Sequence, residues 1–288
     1  MDRIQNILLN ILKDEKLNDY KGIGKEELIY TYKMQIFIIS CKSLEYKKKG
    51  IGINYTRFDE EMKLLKYYIN GTNKSLEMAF KGEKSREEDD TIIYRILPIA
   101  LVNHDIKIIE EEVIENVIKT TRNQKSIIFG LISAFAIAEY VKNGSIDKGL
   151  VKEYIIRFSI KNYSDKYDFM DKAYILNFEK ERIRFLGEID DTVDMNIGNL
   201  DITSNKKNTI KKDKYFKLLD NFSQFLSSLK RGSLNLEKKE IKKANKKFKI
   251  FEGNTFEHYL LGKSLIVKND KLHFYIKTKY GFFKFKKQ

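Results

Sequence analysis

A chain of 288 residues, 42% hydrophobic and 33% charged, is long enough for one large domain or two and too apolar to remain unfolded. Its single cysteine, Cys41, excludes an internal disulfide and any multi-cysteine zinc site; set in the apolar run Met34 to Cys41, it reads as a core thiol suited to a reducing compartment. The net charge of +14 is uneven, because residues 201–288 hold 23 Lys and Arg against 8 Asp and Glu (+15), whereas residues 1–200 hold 32 against 33 (−1). A split of this kind points to a polyanionic partner for the last third, the plain alternative being a lysine-rich solvated surface.

In chain order, Ile4, Ile7, Leu8, Ile11 and Leu12 have the spacing of a helix with one buried face. Further helices are expected over Glu26 to Tyr46, Asp59 to Tyr68, Ser75 to Phe80, Thr91 to Val102, Asp105 to Lys119, Ser126 to Lys142, Val151 to Phe158 and Asp165 to Leu186. Asn143-Gly144 reads as a helix C-cap. The most apolar stretch, Ser126 to Ala138, falls short of the roughly 18 residues of a membrane span and reads as a buried helix. Met1 to Asn6 shows no signal-peptide pattern, so no membrane association and a cytoplasmic location are expected. After a polar stretch at Ser204 to Thr209, a helix is expected from Lys212 to Leu229. Period-2 alternation then marks strands at Phe248 to Phe251, Ser264 to Val267, Leu272 to Ile276 and Gly281 to Phe285. The expected layout is a helical domain over 1–200, a linker and helix over 201–232, and a small basic β-rich appendage over 233–288.

Three segments carry a family resemblance. Tyr94-Arg95-Ile96-Leu97-Pro98-Ile99-Ala100-Leu101 resembles the Met-Arg-x-x-Pro-x-Ala-Leu stretch of ADP-ribosylglycohydrolases, with the chain's one proline in register. Thr121-Arg122-Asn123-Gln124-Lys125-Ser126-Ile127-Ile128-Phe129-Gly130 resembles that family's Thr-His-Asn-His-Pro-x-Ala-Ile-x-Gly segment. Gly187-Glu188-Ile189-Asp190-Asp191-Thr192 resembles its Gly-Gly-Asp-x-Asp-Thr metal motif. The resemblance implies a mainly α chain whose residues 1–200 form an all-helical fold, with an ADP-ribose cleft and two magnesium ions at its base.

The metal ligands depart from the pattern. Where the family has Thr-Asp-Asp-Thr this chain has Thr31-Tyr32-Lys33-Met34, and Ile189 replaces the first aspartate of the later motif. Thr31, Lys33, Arg95, Asp191 and Thr192 are therefore expected to line a former metal site, with Lys33 paired to Asp191 in place of the metal; the plain alternative is a register shifted by one turn, with Lys33 an ordinary surface residue. One carboxylate and two hydroxyls cannot hold two divalent ions about 4 Å apart. No catalytic residue, metal or cofactor is expected on this reading. If the chain is active, Asp191 and Asp190 are the catalytic candidates and magnesium the cofactor. An ADP-ribose-like nucleotide remains a candidate ligand for the cleft.

In the basic part, Lys242, Lys243, Lys246, Lys247 and Lys249 precede strands in which Tyr280 and Phe283 alternate with lysines. Lysines engage phosphates, while aromatic rings on a sheet either stack bases or form the sheet's own core. The expected function is a non-catalytic, binding or regulatory relative of ADP-ribosylglycohydrolases whose basic part contacts nucleic acid or another polyanion. The alternative is an active hydrolase of ADP-ribosyl or related N-glycosidic bonds.

Overall fold

The computed structural model describes residues 2–17, 29–197, 214–230, 253, 255–258, 262–269, 273–278 and 281–286. It divides into two compact units, Met1–Phe216 and Lys217–Gln288, with the boundary inside a helix and not at residue 200.

The first unit is mainly helical. In chain order it holds α1 (Arg3–Leu12), β1 (Lys16–Leu17), β2 (Ile29–Tyr30), α2 (Tyr32–Lys42), β3 (Leu44–Tyr46), β4 (Ile51–Ile53), α3 (Tyr55–Leu65), α4 (Lys74–Phe80), α5 (Ile92–Val102), α6 (Ile106–Val117), α7 (Gln124–Asn143), α8 (Lys148–Arg157), a 3-10 turn (Ile160–Tyr163), α9 (Lys172–Gly187) and α10 (Ile189–Ile197). The helix α11 (Lys214–Lys230) runs across the boundary.

Side chains set most helix starts. Thr31, Asn54, Asn73, Asp105, Asn123, Asp147 and Asp171 each accept a backbone N–H of the first turn, satisfying donors that a helix leaves without partners. Gly144 ends α7 in the left-handed conformation, φ 86°, which a side chain would oppose. The Arg3 guanidinium closes the same end by donating to the Val141 and Lys142 carbonyls.

α7 is the central element. It packs against α1, α5, α6, α8, α9 and α10, and 83% of its most apolar window is buried by the protein itself. With 20 residues it is longer than expected and by length could cross a membrane, yet its apolar surface is already covered. Leu131, Ile132, Phe135 and Ile137 are fully buried, each stabilising the fold by about 1.5–3 kcal/mol. A second core forms under α2, α3 and α5 from Ile36, Ile39, Phe58, Leu65, Leu76 and Ile99.

Residues 1–200 are not all-helical, which corrects the sequence expectation. β1 pairs with β2, and β3 pairs with β4, both antiparallel. The second hairpin replaces the last turn of the helix expected over Glu26 to Tyr46. The buried outer edge of β4 is met by side chains: Asn103 accepts from Ile51 N at 3.0 Å and donates to Ile51 O at 2.7 Å, and Glu112 Oε2 accepts from Ile53 N at 2.9 Å. Glu112 lies so close to Gly52 that a Cβ there would collide with its carboxylate. The helix expected over Asp165 to Leu186 likewise breaks, and Asp171 starts α9 afresh by accepting from Tyr174 N at 2.7 Å.

In the second unit, β5 (Thr255–His258), β6 (Gly262–Asn269), β7 (His273–Thr278) and β8 (Gly281–Lys286) form an antiparallel sheet in sequence order. Three of these match expected strands, β5 is additional, and the strand expected at Phe248 to Phe251 lies outside the described residues. A bulge between Ile266 and Lys268 shifts the β6–β7 register.

Candidate functional site

A cleft of about 370 Å³ opens in the first unit. One wall is the segment Glu88–Asp90 with Asn73 at the start of α4; the other is Lys125, Ser126 and Phe129 of α7 with Arg184 and Phe185 of α9. Asn73 ties the first wall together. Its Oδ1 caps α4 by accepting from Leu76 N at 2.8 Å, and its Nδ2 donates to Asp89 Oδ1 at 3.0 Å and to Asp90 Oδ1. Ser126 Oγ ties the walls to each other, accepting from Asp89 N at 3.2 Å.

Behind this wall lies a buried ion pair. Arg95 Nη2 stands 3.5 Å from Asp89 Oδ2, and both side chains are 0% exposed. Thr120 bridges them, accepting from Arg95 Nη1 at 2.7 Å and donating to Asp89 Oδ2 at 2.6 Å. Thr91 adds its N–H and hydroxyl to Asp89 Oδ1 at 2.9 and 2.6 Å. Burial pushes the Asp89 carboxyl up, but the Arg95 guanidinium and the hydrogen bonds from Thr120 and Thr91 outweigh it and hold it below its ordinary value. A carboxylate so fully engaged is a structural anchor, ill suited to carry protons.

A second polar cluster lies at the α2 N-terminus. Asp90 Oδ2 accepts from the Tyr32 hydroxyl and stands 3.2 Å from Lys33 Nζ. Glu15 accepts from the hydroxyls of Thr31 and Tyr94. The Lys33 ammonium lies 5.8 and 5.6 Å from the ring centres of Tyr32 and Tyr94. Burial, then the carboxylate each hydroxyl donates to, pushes both tyrosines far up, so they stay protonated donors.

The residues expected to share a former metal site are distributed differently. Thr31 is the N-cap of α2, accepting from Met34 N at 3.3 Å. The carboxylate facing Lys33 is Asp90, not Asp191. Arg95 is a core residue with Asp89 as counter-ion. Asp190 and Asp191 are exposed in the first turn of α10, whose Ile189 and Val193 are buried. The Thr192 hydroxyl donates to Glu188 O at 2.8 Å. None of these six side chains lines the cleft. The lining residues Asn73, Phe129, Arg184 and Phe185 carry no sequence signal of a site, whereas the acidic run before α5 is visible but reads as a solvated loop.

A magnesium pair does not fit what is present at the α2 N-terminus. Such a pair needs converging carboxylates. An ammonium stands there instead, and among the described residues no group of three His, Cys, Asp or Glu is arranged to hold a metal ion. The Lys33 and Asp90 side chains are 27% and 48% exposed, so the pair is screened by water. Lys33→Ala is therefore expected to lower stability by about 1 kcal/mol or less, measurable by urea denaturation. This is smaller than a buried Lys33–Asp191 pair would require.

Of the polyanion-binding candidates, Lys242, Lys243, Lys246, Lys247, Lys249 and Tyr280 lie outside the described residues. Phe283 belongs to β8, where it stands opposite Ile276 of β7. Cys41 is 2% exposed, and burial pushes its thiol up, as a core cysteine requires.

Among families and curated proteins compared with the chain, none matches it.

Proposed function

We propose that the helical unit is an ADP-ribosylglycohydrolase-like module that binds without hydrolysing, and that the basic C-terminal part engages nucleic acid or another polyanion. The observation that carries the first half is the Lys33 ammonium 3.2 Å from Asp90 at the start of α2. The resemblance puts a pair of metal-binding aspartates at that turn, and a fixed positive charge there repels a divalent cation. An ADP-ribose-like nucleotide is the ligand proposed for the cleft: Phe129 and Phe185 offer apolar contact, and Lys125 and Arg184, which pair here with Glu88 and Glu181, are the cations that phosphate would draw away from those carboxylates. The charge division of the chain supports the second half, with +15 beyond residue 200 and −1 before it.

The test is incubation of the purified protein with ADP-ribosylated arginine, with and without magnesium. No release of ADP-ribose is expected in either case, while calorimetric titration with free ADP-ribose should give saturable heat. Turnover that disappears in Asp191→Ala would overturn the proposal in favour of an enzyme.

A further inference from the structure

Away from the cleft, the first unit gathers three cations that the proposed function does not use. The segment after α4 runs beside the α6–α7 connection: Ser85 bridges Thr121 in parallel, Ser85 N donates to Thr120 O at 3.1 Å, and Arg122 N donates to Ser85 O at 2.7 Å. That backbone lattice brings Lys84 beside Lys119 and Arg122. The Lys84 ammonium donates to the Lys119 carbonyl. The Lys119 ammonium reaches Asp59 at 2.8 Å and lies 4.9 Å from the Tyr55 ring centre. The Arg122 guanidinium stacks on Phe169 at 4.6 Å, and Tyr174 holds the Arg122 backbone by donating to its carbonyl at 2.9 Å.

The charges do not balance. Among the described residues, Asp59 is the one carboxylate paired with any of the three, and Arg122 has no acidic partner. Burial first, then the neighbouring Lys119, pushes the Lys84 ammonium below its ordinary value; Asp59 opposes this, while Arg122 and Arg95 add to it. Three cations brought side by side by backbone bonds, with one carboxylate among them, leave a local excess of positive charge for an incoming anion.

The geometry points to Lys84, Lys119 and Arg122 as a binding site for a phosphate group, free or as a monoester, separate from the cleft and from the basic C-terminal part. Arg122, its guanidinium over the Phe169 ring, supplies the planar donor, and Lys84 supplies a point charge.

Acylation of the full-length protein by an amine-reactive ester tests this directly, with each lysine read by peptide mass spectrometry. Lys84, with its lowered pKa, should react faster than the exposed Lys63, and inorganic phosphate should protect it saturably. Sodium chloride at matched ionic strength should not. In Arg122→Gln the phosphate concentration giving half protection should rise roughly tenfold or more, as loss of a charge-assisted hydrogen bond implies. Replacing Lys242, Lys243, Lys246 and Lys247 by Gln should leave protection unchanged. Equal protection by chloride, unchanged protection in Arg122→Gln, or protection by an oligonucleotide lacking a terminal phosphate but not by phosphate itself would overturn the assignment.

Discussion

Asp89→Ala is expected to lower the stability of the helical unit by about 3–5 kcal/mol, because it leaves the Arg95 guanidinium buried without a counter-charge. For a unit of this size that corresponds to a fall in Tm of roughly 10 °C, readable by calorimetry. The effect is large because Arg95 has few alternatives: its Nε and Nη2 find no hydrogen-bond acceptor among the described residues. Asp89→Ala combined with Arg95→Met should recover part of the loss, since removing both charges removes the desolvation penalty with the attraction. Acid should act through the same group. The Asp89 carboxyl is held below its ordinary value in the folded state, so its contribution is fully present above the unfolded value of about 3.9. It is lost as pH falls through the lower folded value. Asp89→Asn should therefore be less stable than wild type at pH 7, with the gap closing below about pH 4. An Asp89→Ala protein melting within a degree of wild type would show that Arg95 is not held as described.

The helical frame was legible because its signals are local. The apolar spacing along α1, the small and branched residues of α7, and the Gly144 cap all act within a few residues. The β3–β4 hairpin was not, because no Gly, Pro or Asn separates α2 from Leu44 and Tyr46, and what holds the hairpin is Asn103 at the end of α5 and Glu112 of α6. The site shows the same division. The resemblance drew attention to Arg95, but its counter-ion sits in an acidic run that looks solvated, and Thr120, which bridges the pair, comes from another connection altogether. Lys33 was singled out as the charge that pairs with Asp191. The partner found, Asp90, could not be read from spacing, because the chain between them folds through the rest of α2, a hairpin and two further helices. The Lys84–Lys119–Arg122 cluster escaped for a related reason: a parallel bridge between loops leaves no periodic trace in either.

Binding of full-length protein to a single-stranded oligonucleotide is expected to weaken steeply with salt. Each lysine that neutralises a phosphate releases roughly 0.7 counterions on a single strand, so four such contacts give a slope near −3 in log affinity against log salt. A fourfold rise in salt then weakens binding roughly 50-fold through those four contacts alone. Replacing Lys242, Lys243, Lys246 and Lys247 by Gln should make the slope shallower by up to about 3 and leave the melting of the helical unit unchanged. The charge arithmetic motivates this choice of residues: the first unit carries 37 Lys and Arg against 35 Asp and Glu, the second 18 against 6. Sequence preference should be weak, because contacts to phosphate carry no base information. Phe283→Ala separates two origins of any further affinity. Weaker binding by a stable protein indicates base stacking, worth about 1–3 kcal/mol, whereas lost stability indicates that the ring belongs to the sheet's core. Retention of the oligonucleotide that is indifferent to salt and to the four glutamines would leave the basic part without a role in polyanion binding.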